Sequence, residues 1–189
     1  MKNLPDDYFL DIDDDLLAFL EAQGEECIKD IYQSNTVNRE NGYKLLSILI
    51  VGIGSSFLLL TQRAHLDFLS AGLAVFTVYW SACAVYLVLG VLSVQPRGLV
   101  SATPNFLYTE DYKTISEDDF NNLRKNGFSG ESNRLSVMRR YRLNDLCVVA
   151  DGLLSANKKI RIRSERVRIA VILTPVCAIF ISAVTYLFL

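Results

Sequence analysis

Residues 169–189 read IAVILTPVCAIFISAVTYLFL and contain no charged side chain. Two further stretches, residues 45–62 and 68–94, are also free of charged side chains. About 20 apolar residues in a helix span the ~30 Å hydrocarbon core of a lipid bilayer. Three such stretches within 189 residues therefore predict an all-α integral membrane protein with three transmembrane helices.

The connections between these stretches predict the organisation of the chain. Residues 62–67 form a short turn, so the first two spans are expected to pair as an antiparallel hairpin. Four regions follow from this: an acidic amphipathic helix and linker (1–42), a transmembrane hairpin (43–95), a cytosolic region with a long basic helix (96–168), and a C-terminal span (169–189).

The net charge of −2 hides a strong asymmetry along the chain. Residues 1–40 hold eleven acidic and three basic side chains, whereas residues 132–168 hold ten basic and three acidic ones. Opposite charges attract, which favours pairing of the acidic segment with the basic one. Lys and Arg also accumulate on the cytoplasmic side of spans. The N-terminus and residues 95–168 are therefore expected in the cytoplasm, and His65 and the C-terminus on the other side.

Local signals predict where several helices begin. Asp13 or Asp14 can cap a helix that starts near Asp15, and the polar residues 34–42 are expected to link that helix to the first span. Ser116 is expected to cap a short helix over Glu117–Lys125. From Ser132 a long helix is expected to continue into the third span, where Pro175 would kink it.

No enzyme signature is present in the sequence. It lacks a phosphate-binding Gly-rich loop, its only histidine is His65, and the acidic residues 11–15 lack the spacing of a calcium loop. The cysteines show neither disulfide-framework nor zinc spacing: Cys27, Cys83, Cys147 and Cys177. We therefore expect no catalytic residues, no metal and no cofactor.

Small and hydroxyl side chains recur at four-residue spacing in the three spans. They are Gly52, Ser56, Thr77, Ser81, Ala170, Thr174, Ala178 and Ser182. Such a stripe is typical of close helix packing, within one chain or between copies. The alternative is that the hydroxyls line an aqueous path in an oligomer. The absence of charge inside the spans argues against an ion-coupled transporter.

A basic cluster opens the long cytosolic helix. Its members are Arg134, Arg139, Arg140, Tyr141 and Arg142. One interpretation is salt bridging to the acidic N-terminal helix. The other is an anion site, because guanidinium groups bind phosphate bidentately and Tyr141 can stack on a base. A duplex nucleic acid partner is not expected, since the cluster is small and its surroundings are acidic.

Several segments carry a resemblance to a known family. They are QPR at 95–97, NFLY at 105–108, ISEDDF at 115–120, YRLNDLCVVAD at 141–151 and KKIRIR at 158–163. Over residues 35–189 their order and character, after a two-span hairpin, resemble the Pycsar transmembrane effector family of small bacterial anti-phage membrane proteins. SLATT-type effector domains share the hairpin.

The resemblance implies a homo-oligomeric effector in the bacterial inner membrane. A cyclic pyrimidine nucleotide made by a partner cyclase would activate it during infection, and activation would impair the membrane. Two alternatives belong to other classes: a membrane scaffold or accessory subunit that docks a soluble partner, and a constitutive channel or holin-like pore.

Overall fold

The computed structural model describes Pro5 and residues 7–63, 67–93 and 108–188. Helix accounts for 86% of these residues, and none of them lies in a β-strand. The predictions that concern His65, Pro96, residues 95–97 and 105–107, and Leu189 fall outside the described residues.

Five helices follow one another along the described chain. They are α1 (Asp14–Thr61), α2 (Phe68–Leu87), α3 (Glu110–Thr114), α4 (Glu117–Lys125) and α5 (Arg134–Phe188). A π-helical turn over Val88–Leu92 extends α2. Within the described residues, α1, α5 and α2 with its π turn are long and apolar enough to cross a membrane. The predicted all-α architecture with three candidate spanning helices is thus confirmed.

Helix α1 begins where the sequence predicts it and continues further than predicted. Asp13 Oδ1 accepts a hydrogen bond from Leu16 N at 2.6 Å, which confirms the predicted cap. Residues 34–42, predicted to link two elements, instead form the middle of α1, which runs for 48 residues without a break.

The polar side chains of that stretch are used for helix packing. Asn38 Nδ2 donates to Asn157 Oδ1 at 2.9 Å, and Asn157 Nδ2 donates to Ser34 Oγ at 3.0 Å. Contacts with α5 therefore hold this part of α1, although Asn and Ser are weak helix formers.

The contacts within the chain divide it into two compact units. Unit 1 comprises Met1–Gln33 and Pro96–Ala156, and unit 2 comprises Ser34–Gln95 and Asn157–Leu189. Both α1 and α5 therefore supply residues to both units.

In unit 1 the first part of α1 packs against the first part of α5. Ile28 and Ile31 of α1 are buried in one cluster with Leu146 and Leu153 of α5. Leu17, near the start of α1, is fully buried. The charge attraction and amphipathic pattern predicted this pairing of helices, which is confirmed.

A second core in unit 1 depends on how α4 begins and ends. Ser116 and Asp119 form a capping box at its start, as predicted for Ser116. Gly127 ends it in the left-handed conformation at φ 95°, and Phe128 N donates to Leu123 O at 3.0 Å. This turn directs Phe128 into a buried cluster with Leu10, Phe120 and Val137.

Unit 2 is a bundle of α1, α2 and α5. Gly42 lies against Leu92 and Gly52 against Trp80, so α1 and α2 run in opposite directions and the predicted hairpin is confirmed. The buried core consists of Leu49, Cys83, Leu87, Val91, Leu92, Val167 and Val171. Apolar side chains also face outward on all three helices. Val51, Val78 and Ile179 are 68–70% exposed.

Candidate functional site

Arg140 lies at the centre of the polar part of unit 1 and is only 1% exposed. Its Nη1 donates to Asp14 Oδ1 at 2.9 Å, and its Nη2 donates to Ile12 O at 2.6 Å. The guanidinium carbon lies 4.8 Å from the centroid of the Phe128 ring. Because these groups enclose the guanidinium, Arg140 has no face open to a ligand, and its buried Nε has no hydrogen-bond partner among the described residues.

Two small residues complete the enclosure of Arg140. A Cβ on Gly130 would lie 2.5 Å from both terminal nitrogens of Arg140, so only glycine leaves the guanidinium its space. The carbonyl of Ser136 accepts from Arg140 Nη1 at 2.9 Å, and its hydroxyl donates to Asp14 Oδ1 at 2.9 Å. We call this enclosure the arginine socket: Ile12, Asp14, Phe128, Gly130 and Ser136 around Arg140.

The carboxylate of the socket is stabilised in its charged form. Burial opposes ionisation of Asp14, but hydrogen bonds from Glu131 N–H and the Ser136 hydroxyl, together with Arg140, outweigh that effect. The pKa of Asp14 therefore lies below its usual value of 3.8. At neutral pH the socket holds a matched pair of charges.

Two further arginines pair with the acidic segment of α1. Arg139 donates through Nε at 2.9 Å and Nη2 at 2.7 Å to Glu21 Oε2, and this hydrogen bonding raises the pKa of Arg139. Arg142 Nη2 donates to Glu25 Oε1 at 2.6 Å. With Asp14–Arg140, these pairs form what we call the charge ladder.

The charge ladder corresponds to the first of the two interpretations of the arginine cluster. Salt bridging to the acidic helix is the arrangement that the structure shows. An external anion would have to displace a carboxylate. The outermost pair, Arg142–Glu25, is the most accessible, since its side chains are 41% and 56% exposed.

The remaining predicted ligand residues lie elsewhere in unit 1. Arg134 is the exposed first residue of α5 and makes no ion pair with any residue that the structure describes. Tyr141 lines a cavity that Arg139, Arg140 and Arg142 do not line. The five residues predicted as one site are therefore not brought together.

The cavity has a volume of about 680 Å³, within the range of small-molecule sites. Its described lining comes from α3, α4, α5 and the adjoining turns. The lining residues are Thr109, Asp111, Tyr112, Thr114, Ile115, Asp119, Asn122, Leu123, Asn126, Val137 and Tyr141.

The chemistry of this lining is acidic and aromatic. The rings of Tyr112 and Tyr141 lie with their centroids 6.4 Å apart, and the carboxylates come from Asp111 and Asp119. Burial raises the pKa of Tyr112, and Tyr141, Asp145 and Asp111 add to the effect. With no cation among its described lining residues, the cavity suits a neutral or cationic guest and repels a phosphate. Of this lining, the sequence reasoning singled out only Tyr141 as a ligand residue.

In unit 2 the small-residue stripe lies at helix contacts. A Cβ on Gly52 would lie 2.1 Å from the Trp80 ring, whereas one on Gly54 would touch nothing within 4 Å. A Cβ on Gly72 would clash with Ser182 Oγ and lie 3.1 Å from Ala178 O. The predicted close approach of helices within the chain is confirmed at these positions.

Four of the five hydroxyls of the stripe, those of Ser56, Thr77, Ser81 and Thr174, have partners within the bundle. Thr77 Oγ1 lies 2.9 Å from Ser56 Oγ, which joins α1 to α2. Ser81 and Thr174 each donate to a carbonyl four residues earlier, at 2.8 Å. Ala170 packs against the apolar core. These hydroxyls therefore require no aqueous path to be satisfied.

Two arginines contact the end of α2, and sequence reasoning did not anticipate this role. Arg163 Nη1 donates to Gly90 O at 3.0 Å, and Arg39 Nη2 donates to Leu92 O at 3.4 Å. The only available signal was that Arg163 falls between Ile160 and Val167 in a row of otherwise apolar residues spaced three and four apart along α5. The last carbonyls of a helix have no N–H partner within that helix, and the two guanidinium groups donate hydrogen bonds to them here.

No group of three or more metal-ligating side chains occurs within the part of the chain that the structure describes. All four cysteines are free thiols. Comparison with protein-family models, curated proteins and solved structures found no match.

Proposed function

We propose that the chain is a membrane effector in which α1, α2 and α5 cross a lipid bilayer and unit 1 controls them. One observation carries the proposal: α1 and α5 bear the charge ladder in unit 1 and outward-facing apolar side chains in unit 2. Exposed apolar faces on helices of this length require hydrocarbon around them. A signal that alters the ladder therefore acts on the helices that span the membrane.

The proposed orientation places unit 1 in the cytoplasm and the C-terminus outside. It rests on the excess of Lys and Arg within residues 158–168, before the third span. As the resemblance to the Pycsar effectors implies, the proposed bilayer is the bacterial inner membrane. Copies associate through the outward apolar faces, and the activated oligomer impairs the membrane.

The proposed signal is a cyclic pyrimidine nucleotide whose phosphate competes for the charge ladder. Arg139 and Arg142 lie three residues apart on one face of α5 and are neutralised by Glu21 and Glu25 in the resting state. The exposed Arg142–Glu25 salt bridge is weak, so a bidentate phosphate contact can replace it and then compete for the less exposed Arg139–Glu21 pair. Such a ligand shifts the protein towards the activated state because it binds arginines released from Glu21 and Glu25 better than arginines still paired with them.

The test is thermal stability in detergent with cyclic UMP, cyclic CMP and the purine cyclic mononucleotides. At about 100 times its dissociation constant, a ligand specific for the folded state stabilises it by ~2.7 kcal/mol. We expect a shift with a pyrimidine nucleotide, its loss in Arg139→Ala and Arg142→Ala, and its retention in Lys125→Ala. Lys125 is an exposed control on α4.

Liposome leakage then separates an effector from a constitutive pore. The effector releases an entrapped dye only after the nucleotide is added, whereas the pore leaks without it. A well-folded sample that shifts with none of the nucleotides overturns the nucleotide-gated form of the proposal.

A scaffold or accessory subunit is the second candidate. It is favoured by the neutralisation of Arg139, Arg140 and Arg142 within the chain, which leaves none of these three arginines preformed as an anion site. Its docking surface would be the acidic side chains of α1 outside the ladder: Asp15, Glu26 and Asp30. Reversing these exposed charges abolishes the function of a scaffold and preserves the nucleotide response of an effector. Deleting residues 1–33 is not a clean test, because it removes Ile28 and Ile31 from the core.

A further inference from the structure

A groove lies on the surface of unit 2 where α2 passes into its π turn. Its volume is about 640 Å³, and its described lining combines an apolar wall with one cation. The lining residues are Ser81, Ala82, Val85, Tyr86, Leu89, Gly90 and Arg163.

The cation is held in place by the backbone of α2. Arg163 Nη1 donates to Gly90 O at 3.0 Å, which uses one of five N–H donors on the guanidinium. A Cβ on Gly90 would lie 3.4 Å from Arg163 Cδ, an ordinary van der Waals contact, so the arginine stem lies directly against the backbone of the turn. The group is thus preorganised at the groove with donors to spare.

The positive charge around this arginine is not compensated as it is in unit 1. Six basic residues fall within 158–168 against the single acid Glu165. None of the six forms a salt bridge to a described residue, whereas Arg139, Arg140 and Arg142 each do. The groove therefore lies within a band of positive charge that attracts anions.

The wall of the groove is apolar and faces away from the protein. Val85 is 59% exposed and Leu89 is 69% exposed, and both lie on α2 within the groove. Tyr86, also exposed, adds a ring of the kind found at membrane–water interfaces. A partner that fits must combine an anionic group with a long apolar part.

We propose that this groove binds an anionic phospholipid. The phosphate accepts hydrogen bonds from Arg163, and an acyl chain lies along Val85 and Leu89. Basic pockets beside spanning helices recognise anionic headgroups in this way. The inference rests on the proposed membrane location and is independent of any nucleotide.

The test is native mass spectrometry of the full chain after exchange with vesicles of equal phosphatidylglycerol and phosphatidylcholine. We expect phosphatidylglycerol to remain bound in preference to phosphatidylcholine. Arg163→Ala should reduce that preference roughly tenfold, the effect of one lost charge-assisted hydrogen bond. Ala82→Phe, which fills the groove and keeps every charge, should reduce it as well.

Arg161→Ala is the matched control, because it removes the same charge from an exposed position of the same helix. Equal loss of preference in Arg161→Ala would show diffuse charge attraction and overturn the site. Displacement of the lipid by millimolar glycerol phosphate would show a simple phosphate site and overturn it too.

Extraction by alkaline carbonate separates failure of this inference from failure of the membrane location. A protein that resists extraction yet shows no lipid preference overturns the lipid site alone. A protein released from the vesicles overturns both.

Discussion

Units 1 and 2 share the same two long helices and are held together by different interactions. Unit 1 buries the Arg140 guanidinium and adds the charge ladder to two apolar clusters. Unit 2 buries no charged side chain among its described residues and combines one apolar core with glycine contacts, such as Gly52 with Trp80. The comparison shows that one helix can follow two packing rules along its length.

The proposed membrane location gives this difference a physical reason, because it places unit 1 in water and the outward apolar faces of unit 2 in hydrocarbon. In water, apolar burial drives association, and a buried cation needs an opposite charge beside it, as Arg140 has in Asp14. In hydrocarbon, apolar side chains gain little by leaving the solvent, so close contact of small residues replaces that driving force. The variants below test the difference, beginning with the largest expected effect.

Arg140→Met should destabilise unit 1 by about 3 kcal/mol, because it leaves the Asp14 carboxylate and the Ile12 carbonyl without their cation. Hydrogen exchange should become faster in α4 and at the start of α5 and stay unchanged at Leu49 and Leu87, in the core of unit 2. Arg142→Ala, which breaks the exposed pair of the ladder, should cost no more than about 1 kcal/mol. Equal effects of the two variants would contradict the burial difference between the two pairs.

Gly52→Ala should destabilise unit 2 by about 1–3 kcal/mol, since its new methyl group overlaps the Trp80 ring. Gly54→Ala provides the control two residues away, because its methyl group meets nothing and alanine favours the helix. Thermal unfolding in detergent should show a lower midpoint for the first variant and an unchanged or higher one for the second. An equal decrease in the unfolding midpoint of both variants would mean that α1 and α2 do not approach each other closely at Gly52.

Acid should weaken unit 1 through Asp14. Folding lowers the pKa of Asp14, so its stabilising contribution is complete above pH 3.8 and is lost as the pH falls through the lower pKa of the folded state. Hydrogen exchange, corrected for its intrinsic pH dependence, should show this loss around the arginine socket.

Asp14→Asn isolates that contribution from the cap of α4. Hydrogen bonds from the Ser116 N–H and hydroxyl also lower the pKa of Asp119, which acts in the same direction. Asp14→Asn should be less stable than the unchanged protein at neutral pH and should lose less stability on acidification. An acid response that is identical in Asp14→Asn would assign the effect to other carboxylates.

The smallest expected effect is the hydrogen bond between Ser56 and Thr77 in unit 2. A double-mutant cycle with Ser56→Ala and Thr77→Val should give a coupling of about 0.6 kcal/mol, typical of such bonds between spanning helices. Thermal unfolding in detergent measures it. A coupling of several kcal/mol would place this contact among the main determinants of the bundle.

Local signals in the sequence were sufficient for much of the fold. The caps at Asp13 and Ser116 and the antiparallel pairing of α1 with α2 depend on near neighbours, and all three are confirmed. The continuity of α1 through residues 34–42 could not be predicted in this way. It depends on side chains of α5, far along the chain.

The site was less predictable because it depends on helical phase. Arg139, Arg140 and Arg142 are close in sequence, yet only Arg140 turns into the space left by Gly130. No feature of the neighbouring sequence distinguishes the three arginines. The cavity lined by Tyr112 and Tyr141 likewise arises where α3, α4 and α5 meet, and no short motif records it.

The arginine socket sets the timing of folding during synthesis. Asp14 and Arg140 are separated by 126 residues, so at about 5–20 residues per second the ribosome takes roughly 6–25 s to deliver the second after the first. Throughout that interval Ile28 and Ile31 lack Leu146 and Leu153, the residues of α5 that cover them. The eleven acidic side chains of residues 1–40 then act as a solubilising charge that protects the nascent segment from aggregation until α5 emerges.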